Sequence, residues 1–503
     1  MATLQPSQSL IPSASRPGPV RRSLAAAAVV AALLIIVGAI YVVVPPSPGA
    51  SQSSGSTTST SSSTLSSSAS QTTPLSTSSR PSSTTASSSA GQGWTTYHGD
   101  NARTGYLTVS NFTSVTHDWT SATLDGDVYA QPLVFGGDVF VATENNSVYS
   151  LDAKTGSVVW RTNLGPPVDG STLPCGDINP TGITGTPVID PSTGTLYVVS
   201  YSAMHHTLSA LKTSTGAIAF QRSAVPPGFV ELAQQERAAL SFANGMVYVP
   251  YGGLAGDCGQ YYGWVAGIPT NASGGMVAYK VPTQREGGIW TPSGAAVDSS
   301  GNVYVTTGNA ASSTTFDYGN SVIKLSPSLS VEGYFAPTNW AQLSQSDTDV
   351  GSDGPAFVGP STIFQIGKEG VGYLLDSNKL GGVGGQSFAA SVCGGSFGGT
   401  AYANSYVFVP CRDGLVELQV ANGAFTMVWH TSSFFAGPPV VTGGVVWTVD
   451  RDSATLDGYS VSTGHKAYSF QLGSVVHFVG PAAGEGRVFV TATDRVMSFL
   501  LGA

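Results

Sequence analysis

Positive charge is scarce in this chain. Its 503 residues hold only 20 Lys and Arg against 29 Asp and Glu, a formal net charge of -9. Proteins that neutralise a phosphate backbone need clustered Lys and Arg. No basic stripe with interleaved aromatics occurs here, so nucleic acid is not an expected partner. Cysteine is also sparse: four residues, none in a C-x-x-C or C-x-x-C-H arrangement, which argues against structural zinc and covalent haem. No H-E-x-x-H pattern is present. His205 and His206 are adjacent, and adjacent strand residues point to opposite faces, so they do not form a metal pair.

What is abundant is turn-forming residue. Gly reaches 62 and Pro 30 while charged residues make up 10% of the chain, a composition that suits an all-β surface protein solubilised by Ser, Thr and Asn. Residues 24–44 carry no charge, and 21 residues of helix match the roughly 30 Å hydrocarbon core of a bilayer. Arg16, Arg21 and Arg22 precede this run and no Lys or Arg follows before Arg80. The positive-inside rule then makes residues 1–23 a cytoplasmic tail and residues 24–44 a single membrane span, with everything beyond extracytoplasmic. A cleaved signal peptide is the alternative, but its apolar region would be shorter. Residues 45–92 are almost wholly Ser, Thr, Pro, Ala, Gln and Gly. Nothing there repays the entropy of ordering, and the expectation is a disordered linker or stalk.

The remaining residues, 93–503, repeat. A short β-rich core recurs as Asp138-Val-Phe-Val141, Thr195-Leu-Tyr-Val198, Met246-Val-Tyr-Val249, Asn302-Val-Tyr-Val305, Thr362-Ile-Phe-Gln365, Tyr406-Val-Phe-Val409, Gly444-Val-Val-Trp447 and Arg487-Val-Phe-Val490. The spacing averages about 50 residues, enough for one four-stranded propeller blade with its loops. Several copies continue into a turn ending in Thr-Gly followed by an aromatic, as at Thr155-Gly156 with Trp160, Thr215-Gly216 with Phe220 and Thr463-Gly464 with Tyr468. Gly supplies positive φ there, and the aromatic packs between blades. The last copy lacks its fourth strand, and the segment around Trp119 resembles that around Trp160. An N-terminal strand is therefore expected to complete the last blade, closing the ring and removing both sheet edges. The fold class is all-β, an eight-bladed β-propeller, with seven blades as the alternative because the fifth copy is irregular.

In an exported domain an even number of cysteines favours disulfides. Of the three possible pairings of Cys175, Cys258, Cys393 and Cys411, the favoured one joins Cys175 to Cys258, between the loops of blades two and three, and Cys393 to Cys411.

These repeats resemble the pyrroloquinoline-quinone (PQQ) like β-propeller family, which includes an outer-membrane assembly scaffold and the quinoprotein alcohol dehydrogenases. The opening motif, Trp94-Thr-Thr-Tyr97-His98-Gly-Asp100-Asn-Ala-Arg103-Thr-Gly105, is similar to that of exported members. Gly287-Gly-Ile-Trp290 and Val303-Tyr-Val-Thr-Thr-Gly308-Asn309 are similar to the segments that supply a stacking Trp and a calcium-binding Asn in the dehydrogenases, and Lys368 to Asp376 to the strand whose cation contacts the quinone. The resemblance thus implies Trp290 and Lys368 as cofactor-binding, Asn309, Asp349 and Asp257 as calcium ligands, and Asp349 or Asp347 as the catalytic base. It also lacks the family's adjacent Cys-Cys pair.

Two functions compete on this reading. The leading expectation is a non-catalytic propeller at the cell surface, needing no cofactor, that binds a protein or envelope ligand through its loops. The alternative is a PQQ- and calcium-dependent dehydrogenase oxidising a small alcohol or sugar. The enzyme requires Trp290, Asn309, Asp347 or Asp349, and Lys368 to meet on the propeller axis. A third reading, a polysaccharide-binding module, rests on the aromatic loop Gln260-Tyr-Tyr-Gly-Trp264.

Overall fold

Alternating β-branched and aromatic residues form the strands, and burial follows strand position. Middle strands such as Asp138–Ala142 and Ser147–Asp152 are almost entirely buried. The outer strand Val158–Asn163 is largely exposed, with Trp160 as its buried residue. A sheet covered on both faces at its centre and wet at its rim produces this gradient. The computed structural model describes residues 93–271 and 274–502. The expected tail 1–23, membrane span 24–44 and linker 45–92 lie outside the described residues. No helix among the described residues is long and apolar enough to cross a membrane.

Eight sheets form eight blades. Blade one holds Leu133–Phe135 to Val158–Asn163, blade two Val188–Asp190 to Ile218–Ser223, and blade three Ser241–Ala243 to Val277–Lys280. Blade four runs from Ala296–Val297 to Val331–Ala336 and blade five from Ala356–Phe357 to Phe388–Ser391. Blade six runs from Ala401–Ala403 to Ala424–His430 and blade seven from Val440–Thr442 to Lys466–Gln471. Blade eight joins Ala482–Gly484, Arg487–Ala492 and Arg495–Gly502 to the N-terminal strand Ser114–Thr120, which pairs antiparallel with Arg495–Gly502. The expected closure is therefore present. The irregular fifth repeat is a complete blade; between its third and fourth strands, Gly382–Val383 leaves to pair in parallel with Val331–Ala336 of blade four.

A recurrent contact ties neighbouring blades. The indole of Trp119 in blade eight donates to the Ala153 carbonyl of blade one at 3.1 Å, Trp160 to Thr213 of blade two at 2.7 Å, and Trp429 to Val461 of blade seven at 3.1 Å. Each ring lies on the glycine of the Thr-Gly turn. A Cβ on Gly156 would stand 2.4 Å from Trp119, and one on Gly216 2.4 Å from Trp160. Those glycines adopt φ of 70° and 68° and also leave room for a ring, so two demands coincide at one position.

Residues 94–105 cross the axis and bond to the inner strands in turn. The carbonyls of Trp94, Thr95, Asn101, Ala102, Thr104 and Gly105 accept from Val134, Ile189, Val297, Phe357, Tyr402 and Val441, which belong to blades one, two, four, five, six and seven. Blade three is reached by side chains, with Arg103 donating to Ser241 Oγ at 2.7 Å and Asn101 to the Phe242 carbonyl at 3.0 Å. Blade eight is reached through Gln131, which accepts from the Trp94 indole and donates to the Pro481 carbonyl.

Two substitutions test these contacts by urea unfolding. Trp119→Ala is expected to cost about 3–5 kcal/mol, the usual loss for a buried Trp. Gly216→Ala is expected to cost about 1–3 kcal/mol from strain and overpacking. An unchanged midpoint for either variant would show that the inter-blade contact carries no stability.

Candidate functional site

The inner strands meet the axial segment at their ends, so their starts face the opposite mouth. Trp290, Phe397, Phe435 and Phe478 precede inner strands that begin at Ala296, Ala401, Val440 and Ala482, and all four line one axial funnel of about 670 Å³. Every residue that the resemblance nominated, Asp257, Trp290, Asn309, Asp347, Asp349 and Lys368, lines this same funnel.

Lys368 is the centre of that group. Its Nζ lies 2.6 Å from Asp349 Oδ2 and 3.0 Å from Asp347 Oδ1. Asp349 Oδ1 accepts the Asn309 backbone N–H at 2.6 Å. The short helix Trp340–Gln345 and the turn after it carry Asp347 and Asp349 in from between blades four and five. Asp349 is buried, with 4% of its side chain exposed, whereas Asp347 is 63% exposed. Burial pushes the Asp349 carboxyl above its ordinary value, and Lys368 and the Asn309 N–H draw it back. Burial opposes the Lys368 charge, but Asp349 and Asp347 outweigh it and raise the ammonium's pKa. Gly308 lets the strand pass, since a Cβ there would lie 2.9 Å from Asp349 Oδ1 and 3.0 Å from the Trp290 indole nitrogen. Trp290 itself is half-buried, with the Arg237 guanidinium 5.5 Å and Lys368 Nζ 5.8 Å from its ring.

These donors do not fit a resident calcium ion. Calcium takes six to eight oxygens, yet the two carboxylates of Asp349 and Asp347 already share the Lys368 ammonium. Asp257 Oδ1 accepts from the Tyr261 hydroxyl. Asp257, Asp347 and Asp349 do not bring three oxygens within 4.8 Å of one another; among the described residues that separation is met by Cys393, Cys411 and Asp413, where both sulfurs are tied up in a disulfide. The Lys368 ammonium already supplies the local positive charge. A stacking face at Trp290 is present, but a quinone would arrive without its metal partner.

Both expected disulfides form, with Cα separations of 5.9 Å for Cys175–Cys258 and 6.2 Å for Cys393–Cys411. The aromatic loop is a correction. Tyr261 and Trp264 are buried, and Lys280 Nζ sits 3.3 Å from the Tyr262 ring centroid, so these rings pack within blade three and offer no open stacking platform. Gly394-Gly-Ser396-Phe-Gly398 has the spacing of a nucleophile elbow. Ser396 is wholly buried, its Oγ 2.6 Å from Asp353 and 2.9 Å from the Pro410 carbonyl, and it faces no substrate space.

Sequence reasoning missed the opposite wall. Arg237, Arg412, Arg451 and His477 line the funnel beside Phe397, Phe435 and Phe478. The available signal was positional: Arg412 and Arg451 each follow the second strand of their blade and precede an Asp, and the phenylalanines fall at matching points of three successive repeats.

An eight-bladed β-propeller with a polar axial funnel defines the class. A family model described as the outer membrane protein assembly factor BamB matches residues 85–328. A BamB from Burkholderia pseudomallei (strain K96243) is 46% identical over 48 residues, 9% of this chain and 13% of that protein. The chain thus covers about an eighth of the curated relative. A quinohemoprotein alcohol dehydrogenase, ADHIIG, from Pseudomonas putida HK5 superposes with a TM-score of 0.64 at 14% identity, over 82% of this chain and 80% of that one. A quinohemoprotein alcohol dehydrogenase from Comamonas testosteroni gives 0.63 at 16% identity, over 82% and 81%. BamB from Moraxella catarrhalis gives 0.54 at 16% identity, over 77% and 100%. At these identities the solved structures show the fold. With the repeats, the match over residues 85–328 makes the chain similar to the PQQ-like β-propeller repeat family.

Buried acids elsewhere in the propeller generate a pH dependence. Burial raises Asp353 to about 7, against the hydrogen bonds from Ser396 and Gly354. It raises Glu144 likewise to about 7, against the Gly182 N–H and Thr184. Because these folded-state values lie above the unfolded ones, the native state holds protons that the unfolded chain has released. The stability so contributed is complete at low pH and is lost as pH rises through about 7. Melting temperatures recorded from pH 4 to 8 are expected to fall less steeply for Asp353→Asn than for the unaltered protein. Equal slopes would mean that Asp353 is ionised in the fold.

Proposed function

We propose that this protein is a non-catalytic binding propeller at the cell surface, anchored by residues 24–44, carried on the linker of residues 45–92, and using its axial funnel and loops to hold a ligand. The observation that carries this reading is the place of the Lys368 ammonium, 2.6 Å from Asp349 and 3.0 Å from Asp347, where a calcium ion would need those same carboxylates. The group is instead a rigid polar floor. The match to a protein assembly factor supports a binding role, with a protein or envelope component as the partner of the loops.

A second reading is a quinoprotein dehydrogenase. It is favoured by the meeting of Trp290, Asn309, Asp347, Asp349 and Lys368 at one funnel, together with the dehydrogenase-like fold.

Titration of the full chain with PQQ and Ca²⁺ separates the two, followed by quinone absorbance and dye-coupled turnover on a panel of alcohols and sugars. The binding reading expects no calcium-dependent quinone binding and no turnover. Saturable binding with turnover, both lost in Asn309→Ala and Lys368→Ala, would establish the dehydrogenase in its place.

A further inference from the structure

The funnel has two unlike walls. On one side the acids Asp347 and Asp349 are paired with Lys368. On the other, Arg237, Arg412 and Arg451 have no carboxylate within 4.0 Å among the described residues, although each lines the same space. Arg237 Nη2 meets the His477 imidazole at 3.3 Å. The guanidiniums of Arg412 and Arg451 make no hydrogen bond among the described residues, whereas their backbone N–H groups do. Arg412 is exposed, whereas burial lowers the pKa of Arg237 and Arg451, with Asp177 and Asp452 opposing it; a desolvated cation with no carboxylate in contact is costly unless a ligand compensates it.

Aromatic rings hold two of these cations, Arg451 and Arg237, in place. The Arg451 guanidinium carbon is 4.4 Å from the Phe435 ring centroid, and that of Arg237 is 5.3 Å from Phe478 and 5.5 Å from Trp290. A guanidinium whose face is taken by a ring keeps its N–H edge for a planar, two-oxygen acceptor, the geometry of a carboxylate. The aromatic rings beside it suit the flat C–H face of a sugar or an arene. The far wall decides between them. Asp347 and Asp349 accept hydrogen bonds and repel further negative charge, so they match a ligand edge rich in hydroxyl donors. An aromatic acid without hydroxyls, such as benzoate, has none to give.

We propose that Arg237, Arg412 and Arg451 form a carboxylate seat, and that the funnel takes an acidic saccharide whose carboxylate meets the arginines while its hydroxyls meet the Asp347, Asp349 and Lys368 wall. This rests on the funnel being the ligand seat, and it names the class of ligand. A volume of about 670 Å³ accommodates one or two sugar rings.

Calorimetric titration of the full chain with a uronic acid disaccharide, its neutral counterpart, benzoate and sulfate tests the assignment. The acid sugar is expected to bind saturably and at least about tenfold tighter than the other three. Arg412→Gln and Arg451→Gln are each expected to weaken it by at least about tenfold, and Arg412→Gln to do so with melting temperature unchanged, because the Arg412 side chain makes no hydrogen bond or ring contact among the described residues. Equal binding of the neutral sugar overturns the carboxylate seat while leaving the funnel a ligand site. Equal binding of benzoate or sulfate overturns the saccharide. No binding of the acid sugar, or binding indifferent to both substitutions, overturns the proposal and leaves the quinone titration to judge the binding reading by itself.

Discussion

The axial segment, residues 94–105, is the contact on which the rest of the propeller depends. Each blade presents an inner strand whose outward partners leave one edge of N–H groups facing the axis, and a buried unpaired N–H is expensive. Converging strands cannot pair with each other around a ring. A single extended chain that turns beneath them can, and the carbonyls from Trp94 to Gly105 do so for six blades. Arg103 and Asn101 reach the third and Gln131 the eighth. The turn is sharp: His98 and Arg103 both have positive φ. His98 is held neutral, its pKa lowered to about 3 by burial and by Arg103.

That arrangement also decides where ligands can enter. Inner strands run from the funnel to the axial segment, so the ring is a cup, closed at the end where its strands finish. Side chains placed just before an inner strand or just after a second strand fall at the rim of the cup, and the repeat delivers them at one level from several blades. Arg412 and Arg451 are one such set, Phe397, Phe435 and Phe478 another.

Blade number and ring closure were legible in the sequence because they rest on pattern: alternation within strands, a fixed spacing, and the likeness of the Trp119 and Trp160 segments. The Thr-Gly turns were legible as turns, but their second duty, making room for the indole of the next blade, depends on a contact between residues far apart in the chain. The work of residues 94–105 could not be read, because it is done by main-chain carbonyls, which every sequence has. At the funnel, residue types suggested by resemblance do come together. Lys368 lies between two acids, however, and pairing of that kind is a matter of distances set by the loop after Trp340–Gln345. The arginine wall was visible only by aligning blades against one another, since no local motif marks it.

The strand Ser114–Thr120 pairs with Arg495–Gly502, and the axial segment bonds to inner strands as distant in sequence as Val441. Synthesis makes both N-terminal pieces first; the axial segment meets its partners one blade at a time from Val134 to Val441, whereas Ser114–Thr120 must wait for the last strand of all. Assembly is therefore governed by very long loop closures, which are slow to find, and an incomplete polypeptide cannot lock itself by halves. A chain built this way completes its cup only after its whole length is available, so its last-made strand is the one that seals the ring.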